Sequence, residues 1–146
     1  MNVRKFGKPP FTVVVVHGGP GAPGEMKPVA EELSKSFGVL EPLQSADTVG
    51  GQIEELKTQI EENVQSPVYL LGYSWGSWLG YLVAAKYPKL IKKLILISSG
   101  PFEKSYAEKI MPTRKSRLSD GERKKVETIL KSLQNGENDN ETLKEF

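Results

Sequence analysis

Apolar residues in this chain follow two alternating patterns. Apolar runs occur at Phe11–Val16, Val68–Leu71 and, interrupted by two lysines, Ile91–Ile97, and uninterrupted runs are typical of strands that are covered on both faces. Between them, apolar residues recur at helical spacing near residues 25–36 and 48–64. Strands that alternate with helices predict βαβ units, and therefore an α/β fold whose parallel sheet has helices on both faces.

The smaller elements complete a predicted sheet of about four strands. Gly38–Leu40 is short and apolar enough for a strand, whereas residues 1–10 fit either an irregular lead-in or one short edge strand. Asp47 or Thr48 is expected to cap the second helix. The apolar faces of the two helices are expected to consist of Met26, Val29, Ala30 and Leu33 in the first, and Val49, Ile53, Leu56 and Ile60 in the second.

The character of the chain changes after Pro101, which separates two predicted regions, 1–101 and 102–146. The second region carries half of all lysines and arginines and has no strand-like run. It contains one clear predicted helix, Asp120–Leu133, with Ser119 and Glu122 in capping-box positions and Gly136 beyond its end. A charged helical face of this kind is typically solvated rather than functional.

The stretch Gly72-Tyr73-Ser74-Trp75-Gly76 fits the pattern G-x-S-x-G between a predicted strand and a predicted helix. In such a turn the serine is lifted out of the sheet on a strained backbone, and only small residues fit two positions to either side. The helix that follows directs free N–H groups and its positive dipole end at an anion formed on a substrate. This pattern predicts a nucleophile elbow with a positive φ at Ser74.

A second motif, His17-Gly18-Gly19-Pro20-Gly21, follows the strand Phe11–Val16. Its glycines allow the backbone to approach a ligand closely. His17 is the only histidine in the chain. Because it ends a strand predicted to lie beside the elbow, it is a candidate general base.

Composition narrows the possible functions. The 146-residue chain has a net charge of +2 and no cysteine, and no stretch approaches the length of a membrane span. Nucleic acid and membrane are therefore not expected as partners, and a cytoplasmic protein is expected. No metal or other cofactor is predicted, since one histidine and scattered carboxylates lack ligand spacing. The His17 loop also lacks the glycine pattern of nucleotide sites.

Together, the motifs HGGPG and GYSWGSW resemble those of the α/β-hydrolase superfamily, most closely its proline iminopeptidase-like branch. The resemblance covers Phe11–Pro101, the N-terminal part of that fold, and implies that residues 102–146 begin a lid. The roles it implies are Ser74 as nucleophile, Trp75, Gly19 and Gly18 as backbone N–H donors to the oxyanion, His17 as the residue that orients the loop, and Tyr73 and Trp75 as substrate contacts.

The chain departs from the family where the family places its acid and histidine, both after the nucleophile. No histidine follows Ser74. The resemblance implies a serine hydrolase of esters or of short peptides with a free N-terminus, incomplete in this chain; a catalytically silent binding module is the alternative. Because the strand Ile91–Ile97 would lie at a cut edge, a homodimer or association with the missing C-terminal half is expected.

Overall fold

The computed structural model describes residues 2–19, 22–65 and 67–134 of the chain. The described elements alternate between strand and helix over the first hundred residues. In chain order they are β1 Val3–Phe6, β2 Phe11–Val16, α1 Lys27–Leu33, β3 Gly38–Pro42, α2 Val49–Asn63, β4 Val68–Tyr73, α3 Trp75–Lys86, a 3₁₀ turn Pro88–Leu90, β5 Ile91–Ile97, α4 Lys104–Ser116 and α5 Asp120–Gln134.

The strands form one five-stranded sheet in the order β1-β3-β2-β4-β5. Four of them are parallel, whereas β1 pairs with β3 antiparallel, with Val3 opposite Pro42 and Phe6 opposite Val39. Residues 1–10 therefore contain the short edge strand that was one of two alternatives for them, and its antiparallel pairing is the one departure from the predicted parallel sheet. Residues 7–10, which connect β1 to β2, are too few for the crossover that would bring β2 back parallel to β1 in the same sheet.

Alternate residues of β2 enter two apolar layers, one on each face of the sheet. Val14 and Val16 pack in one cluster and Val13 and Val15 in the other, as the two-residue period of a strand requires. The first cluster also contains Leu40, Leu56, Ile60, Val68, Leu70, Leu79 and Val83, and the second contains Met26, Ala30 and Val39. The predicted α/β class, with helices on both faces of the sheet, is confirmed.

Two helical residues assigned to apolar faces are exposed instead. Val29 is 36% exposed and Val49 is 47% exposed. Val49 is the first residue of α2, directly after its cap Thr48, whose side chain accepts a hydrogen bond from Gly51 N–H. The first helix is also shorter than predicted and begins at Lys27, with Pro28 in its first turn.

The described chain divides into two units after Gly100. In the second unit, the predicted capping box of α5 is confirmed: Ser119 N–H donates to Glu122 Oε2 at 2.8 Å, and Glu122 N–H donates to Ser119 Oγ at 3.4 Å. Helix α4 was not predicted, since it carries Pro112 and no continuous apolar stripe. Lys115 of α4 pairs with Glu127 of α5 at 3.1 Å. Gly136 lies outside the described residues, and the lid role stays a prediction.

None of the helices in the described part of the chain is long and apolar enough to cross a lipid bilayer.

The unit formed by residues 1–100 contains the sheet and both predicted motifs. The motifs follow β2 and β4, which are hydrogen-bonded neighbours at the centre of the sheet. Parallel neighbours end at the same edge, so the fold brings the two glycine-rich turns together.

Candidate active site

Ser74 occupies the tight turn between β4 and α3. Its backbone angles are φ 51° and ψ −113°, and the helix begins at the next residue. The predicted positive φ is therefore confirmed; it is a conformation that residues with a side chain adopt rarely and at some cost. Ser98, which follows β5, is the other non-glycine residue with positive φ among those described. Strain is thus concentrated at the carboxyl ends of two adjacent strands.

The two glycines of the G-x-S-x-G motif are required by close backbone contacts. A Cβ atom on Gly72 would lie 2.2 Å from the carbonyl oxygen of Gly76, and one on Gly76 would lie 2.4 Å from the carbonyl oxygen of Val16. Both distances are well inside van der Waals contact. The motif therefore lets α3 approach both β4 and the end of β2, which is the crowding expected of a nucleophile elbow.

The side chain of Ser77 stabilises the elbow through hydrogen bonds, a role that was not predicted from the sequence. Its hydroxyl is fully buried, lies 2.6 Å from the Gly72 carbonyl oxygen and 3.0 Å from that of Ile97, and accepts a hydrogen bond from Ile97 N–H at 3.2 Å. Ser74 N–H donates to the same Ile97 carbonyl at 2.9 Å. The end of β5 thus holds both ends of the turn. The signal available in the sequence was a second serine one helical turn after the nucleophile position.

The two tryptophans after Ser74 are held by hydrogen bonds from their indole nitrogens. Trp75 Nε1–H donates to Gln52 Oε1 at 2.8 Å, and Trp78 Nε1–H donates to the Gly100 carbonyl at 3.1 Å. The two rings meet edge to face, with centroids 6.1 Å apart. At the first position of α3, the Trp75 N–H has no acceptor within the helix, so it can serve as a donor to a ligand.

The side chain of Gln52 links Trp75 to the turn before α2. Gln52 Nε2–H donates to the Ala46 carbonyl at 2.9 Å. The same turn is held by Glu55, whose carboxylate accepts hydrogen bonds from Ser45 N–H at 2.9 Å and Ala46 N–H at 3.1 Å. Burial raises the pKa of Glu55, but the hydrogen bonds from Ser45 and Ala46 outweigh it and lower the pKa overall. Gln52 and Glu55 therefore form a continuous hydrogen-bond network between the Trp75 side chain and the turn before α2.

The loop that follows β2 lies directly against the elbow. A Cβ atom on Gly18 would lie 3.0 Å from Tyr73 Cδ1 and 3.1 Å from Ser74 Cβ. Gly19 has a φ of 47°, in the left-handed region that favours glycine. The Gly18 N–H donates to Glu25 Oε2 at 3.1 Å, so that amide already has an acceptor. Of the two predicted loop donors, Gly19 is the one with no acceptor among the described residues. Pro20 and Gly21 lie outside the described residues.

His17 is fully buried at the start of this loop. Its Nδ1 lies 2.9 Å from the Gly18 carbonyl oxygen, and because a carbonyl can only accept, Nδ1 carries the proton. Nε2 is buried and has no hydrogen-bond partner among the described residues. Neither ring nitrogen is hydrogen-bonded to Ser74, and the contact that His17 does make is with its own loop, as a loop-orienting residue would.

Tyr73 is half buried and packs against the apolar cluster around Val15 and Met26. It also lies beside Gly18. Among the described residues, no histidine nitrogen or carboxylate oxygen is hydrogen-bonded to Ser74. No group of three His, Cys, Asp or Glu side chains that could hold a metal ion occurs there either. The site brings a serine and backbone donors together, and no residue of the described chain is placed to accept the serine proton.

This chain belongs to the α/β-hydrolase fold family, whose model matches residues 12–135. The match includes both glycine-rich turns and extends into the second unit. The predicted superfamily is thereby confirmed.

Known proteins similar to this chain differ in the reactions that their names state. It is 36% identical over 80 residues to ethanol acetyltransferase 1 of Cyberlindnera jadinii, and this match covers 54% of the chain and 23% of that protein. It is 32% identical over 56 residues to a cis-3-alkyl-4-alkyloxetan-2-one decarboxylase of Shewanella oneidensis, covering 38% of the chain and 18% of that protein. The matches thus span about a fifth of the length of these curated relatives.

A solved structure shows the same fold over nearly the whole chain. The crystal structure of VinJ superposes with a TM-score of 0.77 at 23% identity, covering 96% of this chain and 52% of that one. At this level of identity the similarity concerns the fold alone.

Proposed function

We propose that this chain carries the nucleophile and the oxyanion donors of a serine-dependent acyl-transfer site. The observation that carries the proposal is Ser74, held at φ 51° between two glycines that no larger residue can replace. Strain of this kind is kept where the surrounding structure enforces it, and it is concentrated at functional sites. Here it sets the serine beside a glycine-rich loop instead of within a regular helix.

In the proposed reaction, Ser74 Oγ attacks the carbonyl carbon of an acyl compound and loses its proton to a base. The carbonyl oxygen becomes an oxyanion, which accepts hydrogen bonds from Trp75 N–H and Gly19 N–H. Each donor of this type contributes about 3 kcal/mol to transition-state stabilisation. Collapse of the intermediate expels the alcohol or amine and leaves an acyl-serine, which water or another alcohol then cleaves.

The proposed substrate class rests on the resemblance to the superfamily. The names of the relatives include an acetyl transfer and a lactone decarboxylation, so they do not select one reaction. The resemblance to the superfamily favours an ester or a short peptide with a free N-terminus, and the Ser-Trp-Gly sequence at residues 74–76 is similar to that of its aminopeptidase-type members. Trp75 and Tyr73 border the site as candidate substrate contacts.

The described residues contain no base for Ser74, and this favours a slow reaction in the isolated chain. His17 uses Nδ1 within its own loop and its Nε2 is buried without contact to Ser74. A serine hydrolase without its base retains about 10³–10⁴-fold catalysis over water. The same observation supports the alternative function, a binding module that keeps the pocket and performs no chemistry.

Labelling with a fluorophosphonate separates the two functions. The protein should be modified at Ser74 slowly but selectively, as read by peptide mass spectrometry, and Ser74→Ala should abolish the label. His17→Ala should slow the labelling without abolishing it once folding is matched, because His17 orients the donor loop and is not the base. Absence of any Ser74 adduct after prolonged incubation would favour the binding module. Rapid labelling abolished by His17→Ala would instead make His17 the base.

We further propose that two copies associate through β5. This strand ends the sheet and carries Ile95 at 39% and Leu96 at 41% exposure, so its outer edge resembles the unpaired edges that recruit another strand. An antiparallel copy centred on Leu94 would set Lys92 opposite Leu96 and Lys93 opposite Ile95. In this register no lysine lies opposite a lysine of the other copy, so charge repulsion between the two strands is small, which favours a second copy as the partner.

Sedimentation tests this association at micromolar concentration. The expected mass is twice the 16.2 kDa of one chain, and Leu96→Lys should shift the equilibrium to monomer by adding an ammonium opposite Lys92 of the partner subunit. A monomer at all concentrations, or a dimer unaffected by Leu96→Lys, would contradict the proposal.

A further inference from the structure

Two side chains hold successive peptide groups of the loop that faces Ser74. Glu25 Oε2 accepts the hydrogen bond from Gly18 N–H at 3.1 Å, which fixes the peptide between His17 and Gly18. His17 Nδ1–H donates to the Gly18 carbonyl at 2.9 Å, which fixes the next peptide, between Gly18 and Gly19. The direction of both peptide planes is therefore set by side chains and not by regular secondary structure.

The second of these peptide groups contains the proposed oxyanion donor. The peptide between Gly18 and Gly19 is trans, and in a trans peptide the C=O and N–H bonds point in opposite directions. Because the Gly18 carbonyl is directed at the buried ring of His17, the Gly19 N–H is directed away from that ring. A flip of this peptide would remove the Gly19 N–H from its present direction.

Glu25 lies close to the reacting atoms without pairing with a cation. A Cβ atom on Gly18 would lie 2.8 Å from Glu25 Oε2 and 3.1 Å from Ser74 Cβ, so the carboxylate and the serine border the same glycine. Within the described residues, Glu25 forms no salt bridge, and its recorded contact is the hydrogen bond from Gly18. The carboxylate is thus used to hold the loop.

We infer that Glu25 is a positioning residue: by binding Gly18 N–H it fixes the loop so that Gly19 N–H, and not Gly18 N–H, serves as the oxyanion donor beside Trp75. This inference rests on the proposed function of Ser74. The role requires an acceptor atom at Glu25 and does not require its charge. A negative charge close to a developing oxyanion opposes it, so an uncharged acceptor of the same shape should serve at least as well.

The affinity for a boronic acid reports how well the oxyanion donors are aligned with Ser74, and its measurement does not require a full catalytic cycle. Phenylboronic acid forms a tetrahedral anionic adduct with an active serine, and that adduct occupies the oxyanion position. Glu25→Ala removes the acceptor and should weaken phenylboronic acid binding about tenfold, since loss of donor alignment is the main consequence. Glu25→Gln keeps an acceptor oxygen and should bind within about twofold of the starting protein. Equal urea midpoints for the two variants would exclude a general loss of folding as the cause.

Amide resonances give a second readout that does not depend on boronate. The Gly18 amide resonance should move when Glu25→Ala removes its acceptor, and it should stay close to its original position in Glu25→Gln. On addition of phenylboronic acid, the amide resonances of Gly19 and Trp75 should move strongly while that of Gly18 moves little.

The outcomes separate the inference from the proposed function. Ser74→Ala should abolish boronate binding; if the starting protein binds no boronate, or if Ser74→Ala binds it equally well, the proposed function is wrong. If binding depends on Ser74 but Glu25→Ala binds as tightly as the starting protein, the positioning role is wrong. The role is also overturned if Glu25→Gln is as weak as Glu25→Ala, or if the Gly18 amide resonance is the same in Glu25→Ala as in the starting protein.

Discussion

The two turns that meet at the candidate site are held in place by different means. The elbow is fixed by steric crowding of backbone against backbone, since both Gly72 and Gly76 have carbonyl oxygens where a Cβ would lie. The loop after β2 is fixed by side chains, because His17 and Glu25 each bind one backbone group of Gly18. Steric crowding restricts the elbow to one backbone conformation through residues that are close in sequence. The conformation of the loop depends instead on Glu25, seven residues after Gly18.

This difference determines what substitutions should do in each turn. In the elbow, the smallest added group collides with backbone that cannot move without separating α3 from the sheet. In the loop, removing a side chain leaves the backbone free to choose another direction. Substitutions in the elbow should therefore change mainly the free energy of unfolding. Substitutions in the loop should change mainly the alignment of its N–H donors with the oxyanion.

The largest effect is expected from Gly76→Ala. The added methyl group would lie 2.4 Å from the Val16 carbonyl oxygen and 2.6 Å from that of His17, so unfolding should become easier by about 3 kcal/mol or more. Gly50→Ala is the matched control, since a Cβ at this helical glycine meets nothing within 4 Å. That control should be neutral or stabilising by up to about 1 kcal/mol. Urea denaturation measures both, and equal midpoints would refute the steric account of the elbow.

Ser77→Ala tests whether the elbow also depends on its buried hydroxyl. Its loss leaves the Ile97 N–H without the acceptor 3.2 Å away and removes the donor to the Gly72 or Ile97 carbonyl. The expected cost is about 2–3 kcal/mol. Ser116→Ala, at an exposed serine bonded to Thr113, serves as the control and should change the urea midpoint little. A comparable midpoint for both variants would mean that crowding alone holds the turn.

His17→Ala tests whether the loop after β2 is held by the side chain of His17. The Gly18 carbonyl loses its donor in a buried setting, so the free energy of unfolding should fall by about 1–2 kcal/mol. Phenylboronic acid affinity should fall as well, since the peptide that carries Gly19 N–H is no longer fixed. An unchanged urea midpoint would show that the imidazole does not hold the loop and is free for another role.

The smallest effect is expected at Glu55, on the wall behind Trp75. Hydrogen bonds from Ser45 and Ala46 hold the folded-state pKa of Glu55 below its ordinary value of 4.5. Its carboxylate therefore stabilises the fold above that value, and this contribution is lost as pH falls through the lower folded-state pKa. Relative to Glu55→Gln, the starting protein should be more stable at pH 7 by less than about 1 kcal/mol. Thermal melts should show the difference shrinking below pH 4.5; a pH-independent difference would contradict this origin.

The same contrast explains which parts of the molecule the sequence could predict. The strand Phe11–Val16 has the predicted bounds because a long β-branched run is typical of a buried strand. The strand Ile91–Ile97 also has the predicted bounds, although none of its residues is fully buried. The strain at Ser74 was predictable because the pattern G-x-S-x-G is local and steric. Nothing in the sequence marks Glu25 as the partner of Gly18, since that contact exists only when the loop folds back on itself. Helix α4 was missed because it lacks the apolar period that the prediction requires.

The role proposed for Ser74 can be tested directly by trapping an acyl-enzyme. Incubation with p-nitrophenyl acetate, followed by mapping of the acetylated peptides, should place one acetyl group on Ser74 as an ester that hydroxylamine removes. The group should be absent from Ser74→Ala and scarcer in Glu25→Ala than in Glu25→Gln. Acetylation confined to lysines, resistant to hydroxylamine and identical in Ser74→Ala, would contradict a nucleophilic role for Ser74.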